Sequence, residues 1–200
     1  VMTIMDNSYN SAEYSVCDYY KTVSGGRLDI NSVFLTEKGG SVKLSRNRGY
    51  YAEKSEQNPE GYDGAYEQSQ RMYELKEDWA GAVNRALGEG SLPTDISGRT
   101  YDFSNLDKNG DGFADSLTLL LKPTEQNISV SWSSPLWNYR DYTDMVSFST
   151  DSGTVKSGNY VQLTPNYEFF YKASDSKPIF SIGAAVHETG HILGLRDLYN

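Results

Sequence analysis

Apolar residues recur at three- and four-residue intervals between residues 66 and 88, at Met72, Leu75, Trp79, Ala82, Val83 and Ala86. Glu74, Lys76, Glu77, Asp78 and Arg85 fill the places between them. That spacing gives a helix one apolar stripe and one charged face. It predicts a structural helix over 66–88, ended by Gly88 and Gly90. A second helix is predicted over 10–22, stopping near Ser24-Gly25-Gly26. The chain then alternates, with Leu28 and Ile30 between polar neighbours, and predicts a half-buried strand over 27–35. A short strand is expected from Ser41 to Leu44, and a polar loop over 46–64. The run Leu117-Thr118-Leu119-Leu120-Leu121 stops before Pro123 and suits a central buried strand over 116–121.

Residues 128–132 alternate like a more exposed strand, and 145–171 hold further extended segments, including 160–163. Either 128–132 or 160–163 is expected to be an edge strand, and the tyrosine-rich stretch 132–145 suits a cleft rim. The last helix is predicted over 181–193, with Ser181 as its cap. Ile182, Ala185, Val186, Ile192 and Leu193 would bury it against the sheet. This order of elements predicts one mixed α/β (α+β) domain over residues 1–200, a twisted mixed sheet backed by the long helix.

Composition narrows the function classes. A hydrophobic fraction of 38% with 13% aromatics supports a core, and sixteen tyrosines carry much of the aromatic content. The net charge of −9 argues against nucleic-acid partners and anionic membrane surfaces, both of which need a basic footprint. No apolar run is long enough to span a bilayer. Cys17 is the only cysteine, so an intrachain disulfide is excluded, and it reads as a small buried hydrophobe. A monomer is expected. The chain begins at Val1 and ends at Asn200, and is read as a truncated domain whose C-terminal subdomain is missing.

The candidate chemistry is concentrated near the end. Both histidines of the chain lie in His187-Glu188-Thr189-Gly190-His191. Histidines four apart on a helix share a face and can hold one zinc ion, with the glutamate placed to reach a metal-bound water. Gly194 and Asp197 extend the string to H-E-x-x-H-x-x-G-x-x-D. A glycine three residues past the second histidine can take positive φ, stop the helix and turn Asp197 back as a third ligand. The extended pattern points to a zinc metallopeptidase.

A second motif runs from Asp107 to Asp115. Asp107, Asn109, Asp111 and Asp115 place oxygen donors at alternate positions, with Gly112 sixth, like the start of a calcium loop. The twelfth position is Thr118 rather than glutamate, which argues against an EF-hand. Two readings stand: a structural calcium site, or an Asx- and glycine-rich turn introducing the strand at 116–121.

With both motifs placed, the chain resembles the immune inhibitor A-like family of bacterial secreted zinc metallopeptidases. Tyr101-Asp102-Phe103-Ser104 followed by Asp107–Asp115, and then His187 to Tyr199, carry the resemblance in that order. Asp18 to Ile30 and Ser134-Pro135-Leu136-Trp137 are similar to that family's early helix and hairpin and to its Leu-Trp segment. The resemblance implies a metzincin-like fold, a secreted extracellular location, zinc held by His187, His191 and Asp197, and protein or peptide substrates. Arg196 departs from the pattern, which usually has proline before the aspartate. The methionine turn of the wider group has no counterpart after the motif, since Met2, Met5, Met72 and Met145 all precede it. The implied reaction is peptide-bond hydrolysis by a zinc-bound water with Glu188 as general base. A catalytically silent binding or adhesion module that keeps the fold is the alternative.

Overall fold

A computed structural model describes residues 15–30, 32, 41–89, 103–121, 134–150, 153–164, 170–172, 178–180 and 182–197. The first helix, α1, is Val16–Val23. Ser15 caps it: its hydroxyl oxygen accepts the Asp18 N–H at 3.1 Å and its O–H donates to the Asp18 carboxylate at 2.8 Å. Gly25 and Gly26, both at positive φ, end it, with the Gly26 N–H donating to the Lys21 carbonyl. Residues 27–30 carry no strand ladder. Leu28 and Ile30 are still the more buried of the four and pack on the core, so the alternation reported burial, not pairing. Residues 10–14, 31 and 33–35 of these two predicted elements lie outside the described residues.

Residues 41–44 form no strand either; Leu44 simply packs on the core. The loop expected over 46–64 is interrupted by a 3-10 turn at Arg48–Tyr51 and an isolated bridge between Glu53 and Tyr62. The long helix α2 is Gly64–Gly88. Its apolar stripe buries Leu75, Trp79, Ala82 and Ala86, as the spacing predicts. Asp78, on its half-buried flank, ties the loop down: its carboxylate accepts the Ser45 and Arg46 N–H groups and the Tyr51 hydroxyl. Burial pushes the Asp78 carboxyl up, but these hydrogen bonds outweigh it and hold the group below its usual range.

Three strands form the main sheet: β1 (Leu117–Leu120), β2 (Tyr139–Thr150) and β3 (Gly153–Leu163). Their order is β1-β3-β2, with β1 parallel and β2 antiparallel to β3. Among the described residues, β1 is therefore terminal rather than central, and Tyr160–Leu163 is central rather than an edge. The apolar run of β1 is explained by cover on both faces. Leu117 and Leu119 pack toward α2, while Leu120 packs toward the opposite cluster. β3 repeats the division: Tyr160 meets Trp79 on one side, and Val161 and Leu163 meet Val16, Tyr20 and Ala185 on the other. The stretch expected as a cleft rim is in part a strand, since β2 begins at Tyr139.

β2 shifts register between Thr143 and Ser147. Side chains satisfy the main-chain groups the shift leaves unpaired. Ser157 Oγ donates to the Thr143 carbonyl at 2.6 Å, and Asn84 from α2 spans the Met145 carbonyl and the Ser147 N–H. A separate pair, β4 (Phe170–Lys172) and β5 (Pro178–Phe180), is antiparallel. Residues 128–132 lie outside the described residues.

The last helix, α3, is Gly183–Ile192. Its N-cap position is Ile182, which supplies no side-chain hydrogen bond, and Ser181, the cap expected from the sequence, lies outside the described residues. α3 and α1 cover one face of the sheet and α2 the other, a mixed α/β arrangement with a small mixed sheet. No helix among the described residues is long and apolar enough to cross a membrane. Cys17 is half-buried rather than buried, with its sulfur 3.7 Å from Ser32 Oγ.

Candidate metal centre

α3 is short, and its inner face is set by what it packs on. Ala185 sits among Val16, Tyr20, Val161 and Leu163. The Tyr20 hydroxyl donates to the Val186 carbonyl at 2.6 Å. A side chain at position 190 would put its Cβ 3.0 Å from that hydroxyl oxygen, so Gly190 leaves room for the tyrosine. With that face inward, His187 and His191 project together toward solvent, one helical turn apart.

The C-terminal turn returns the chain. The Leu193 N–H donates to the Thr189 carbonyl, Gly194 takes φ +84°, and the Leu195 N–H donates to the Gly190 carbonyl at 2.9 Å. This reversal carries Asp197 to the histidines. Its Oδ1 lies 3.1 Å from His187 Nε2 and 3.4 Å from His191 Nε2, and the two Nε2 atoms are 3.2 Å apart. His191 Nδ1 is 2.9 Å from the Leu195 carbonyl oxygen. A carbonyl can only accept, so Nδ1 carries a proton, and in the neutral imidazole this leaves the Nε2 lone pair facing the other two donors. The same turn thus delivers the aspartate and orients the second imidazole.

Glu188 points inward, 7% exposed, between α3 and β2. Burial pushes its carboxyl above the usual range. His187 and His191 pull it down, Asp197 pushes it up, and the Arg140 main-chain N–H pulls it down, with a net rise. That contact with β2 has no signal in the sequence, where Arg140 falls in the stretch suited to a cleft rim. A polar segment such as Tyr139-Arg140-Asp141-Tyr142 carries a weak strand signal, and only the pairing with β3 reveals it.

His187, His191 and Asp197 are the one group of three or more His, Cys, Asp and Glu side chains, among the described residues, whose donor atoms converge. Asp107, Asp111 and Asp115 do not form such a group. Their oxygens serve the turn itself. Asp107 accepts the N–H groups of Gly110, Asp111 and Gly112, Asn109 accepts that of Asp111, Asp111 that of Phe113, and Asp115 that of Lys108. The turn then docks on β3, where the Ala114 N–H donates to the Lys156 carbonyl at 2.7 Å. Gly158, at φ +67°, allows Phe113 to approach there.

Comparisons with protein-family models, with curated proteins and with solved structures gave no match.

Proposed function

We propose that this chain is the catalytic domain of a zinc-dependent endopeptidase, metzincin-like and of the secreted immune inhibitor A-like kind. The observation that carries the reading is the donor trio. Zinc binds nitrogen and carboxylate oxygen at about 2.0–2.2 Å in tetrahedral sites, which puts neighbouring donors roughly 3.3–3.5 Å apart. The three separations here are 3.1, 3.2 and 3.4 Å. Two imidazoles and one carboxylate, with a fourth position open, are the donor set of a catalytic rather than a structural site.

When bound, zinc supplies Lewis acidity, polarising a substrate carbonyl and bringing the pKa of water down to about 7. The chain's own residues do the rest. His191, oriented by the Leu195 carbonyl, and His187 present lone pairs to one point. Asp197 adds a negative charge that offsets part of the ion's. The Glu188 carboxylate takes the proton from the water attacking the peptide carbonyl, then delivers it to the leaving amine. The Arg140 main-chain N–H holds that carboxylate in position against β2.

An unfolded, fluorescently quenched protein substrate tests the reading. Cleavage is expected with zinc, lost on chelation, restored by zinc, and absent in Glu188→Ala. Cleavage that persists in Glu188→Ala or under the chelator would overturn it.

A further inference from the structure

The chain is acidic overall, with 27 Asp and Glu against 18 Lys and Arg. The cleft beside the donor trio has the opposite balance. It is open, encloses about 360 Å³, and is walled by Arg140, His191, Gly194, Leu195, Arg196 and Asp197. Its one carboxylate, Asp197, lies against both imidazoles. The two guanidinium groups arrive from different elements, Arg140 from β2 and Arg196 from the turn after α3. Neither forms an ion pair among the described residues.

Arg140 is not loosely placed. Its Nη2 donates to Asn159 Oδ1 on the neighbouring strand, a neutral acceptor that orients the side chain without cancelling its charge. A guanidinium has five N–H donors, so most remain for a second partner. Its planar fork matches a carboxylate with two parallel hydrogen bonds. The Arg140 main chain also touches the Glu188 carboxyl from across the helix–sheet contact, so this cation stands on the strand segment that holds the proposed proton acceptor. A group bound by Arg140 would therefore sit close to the reacting bond.

From this we infer that the cleft selects peptides carrying a carboxylate beside the cleaved bond, with Arg140 and Arg196 as the residues that bind it. The inference rests on the peptidase reading for its site and names the substrate class of that site. The carboxylate can come from an Asp or Glu side chain or from a peptide C-terminus, and the guanidinium chemistry is the same for both.

Fluorescence anisotropy of labelled peptides tests it, using the Glu188→Ala protein with and without zinc so that no turnover occurs. The peptides share one sequence and an amidated end, with a single Glu, Gln or Lys walked along it. One further Gln peptide has a free C-terminal carboxylate. The Glu peptide is expected to bind about tenfold more tightly than its Gln counterpart at one or two positions, the scale of a charge-assisted bidentate pair. Arg140→Gln and Arg196→Gln should each shrink that ratio. Arg140→Lys, which keeps charge but loses the fork, should fall between. Tight binding of the free-acid peptide alone would assign the preference to a C-terminal carboxylate. Equal binding of Glu and Gln peptides at every position, with no difference for the free acid, would overturn the inference. Cleavage by the unaltered protein separates the two claims. Peptides cut with equal kcat/KM leave the peptidase standing and the carboxylate preference wrong. Selective binding with no cleavage leaves the preference standing and the peptidase wrong.

Discussion

The two glycine-punctuated segments, 107–115 and 187–197, both carry spaced side-chain donors, yet the structure uses those donors in opposite ways. In the first, the side-chain oxygens of Asp107, Asn109, Asp111 and Asp115 accept backbone N–H groups from within the turn. In the second, backbone groups bond to one another and to His191 Nδ1, and the Nε2 and Oδ1 atoms are left facing a common point. The difference lies in what satisfies the main chain. A turn that must be closed by its side chains uses their lone pairs. A turn closed by helix carbonyls, as at Gly190 and His191, leaves side chains for a ligand.

The largest effect expected from this contrast is on catalysis. Glu188→Ala should lower kcat by about 10²–10⁴-fold, the usual scale of a general base, while zinc content stays at one equivalent. Steady-state kinetics beside metal analysis checks it, and a loss of zinc instead would make Glu188 a structural partner. Next is Asp197→Ala. Outer hydrogen-bond partners of metal ligands are worth roughly 10–100-fold in affinity, so a donor itself should be worth more. Competition with a chromophoric chelator reads this, and unchanged affinity would remove Asp197 from the site.

The acidic turn should respond in stability and not in metal affinity. Asp107→Ala strips the acceptor from three N–H groups and is expected to cost about 1–3 kcal/mol in urea unfolding, with zinc affinity unaltered. A change in zinc affinity would mean that the two regions are coupled. Added calcium is expected to leave the Tm unchanged, because the turn's own backbone N–H groups already occupy its side-chain oxygens. A Tm that rises with calcium concentration would show an ion bound there. The smallest effect is Gly194→Ala. A left-handed residue with a Cβ costs about 1–2 kcal/mol, and here the strain falls on the turn that delivers Asp197, so a small stability loss should accompany weaker zinc binding.

The parts of this contrast that depend on local chain geometry were legible in the sequence. The stripe through Leu75, Trp79, Ala82 and Ala86 defined α2, and the spacing of His187, His191, Gly194 and Asp197 anticipated their convergence. The parts that depend on which strand pairs with which were not. Residues 27–30 alternate in burial without a ladder, so a period of two reported contact with the core alone. Tyr139 to Asp144 is polar enough to resemble a loop, yet it extends β2, because β3 and the Ser157 side chain meet its backbone groups. The place of Arg140 beside Glu188 follows from that pairing and has no local signature.

The central claim is that the 187–197 segment holds zinc and the 107–115 segment does not. Zinc content per chain, measured after equilibration at neutral pH and gel filtration, tests it directly in the unaltered protein, His191→Ala and Asp107→Ala. One equivalent in the unaltered protein and Asp107→Ala, and none in His191→Ala, is the predicted result. No stoichiometric zinc in the unaltered protein, or one equivalent retained in His191→Ala, would contradict the account.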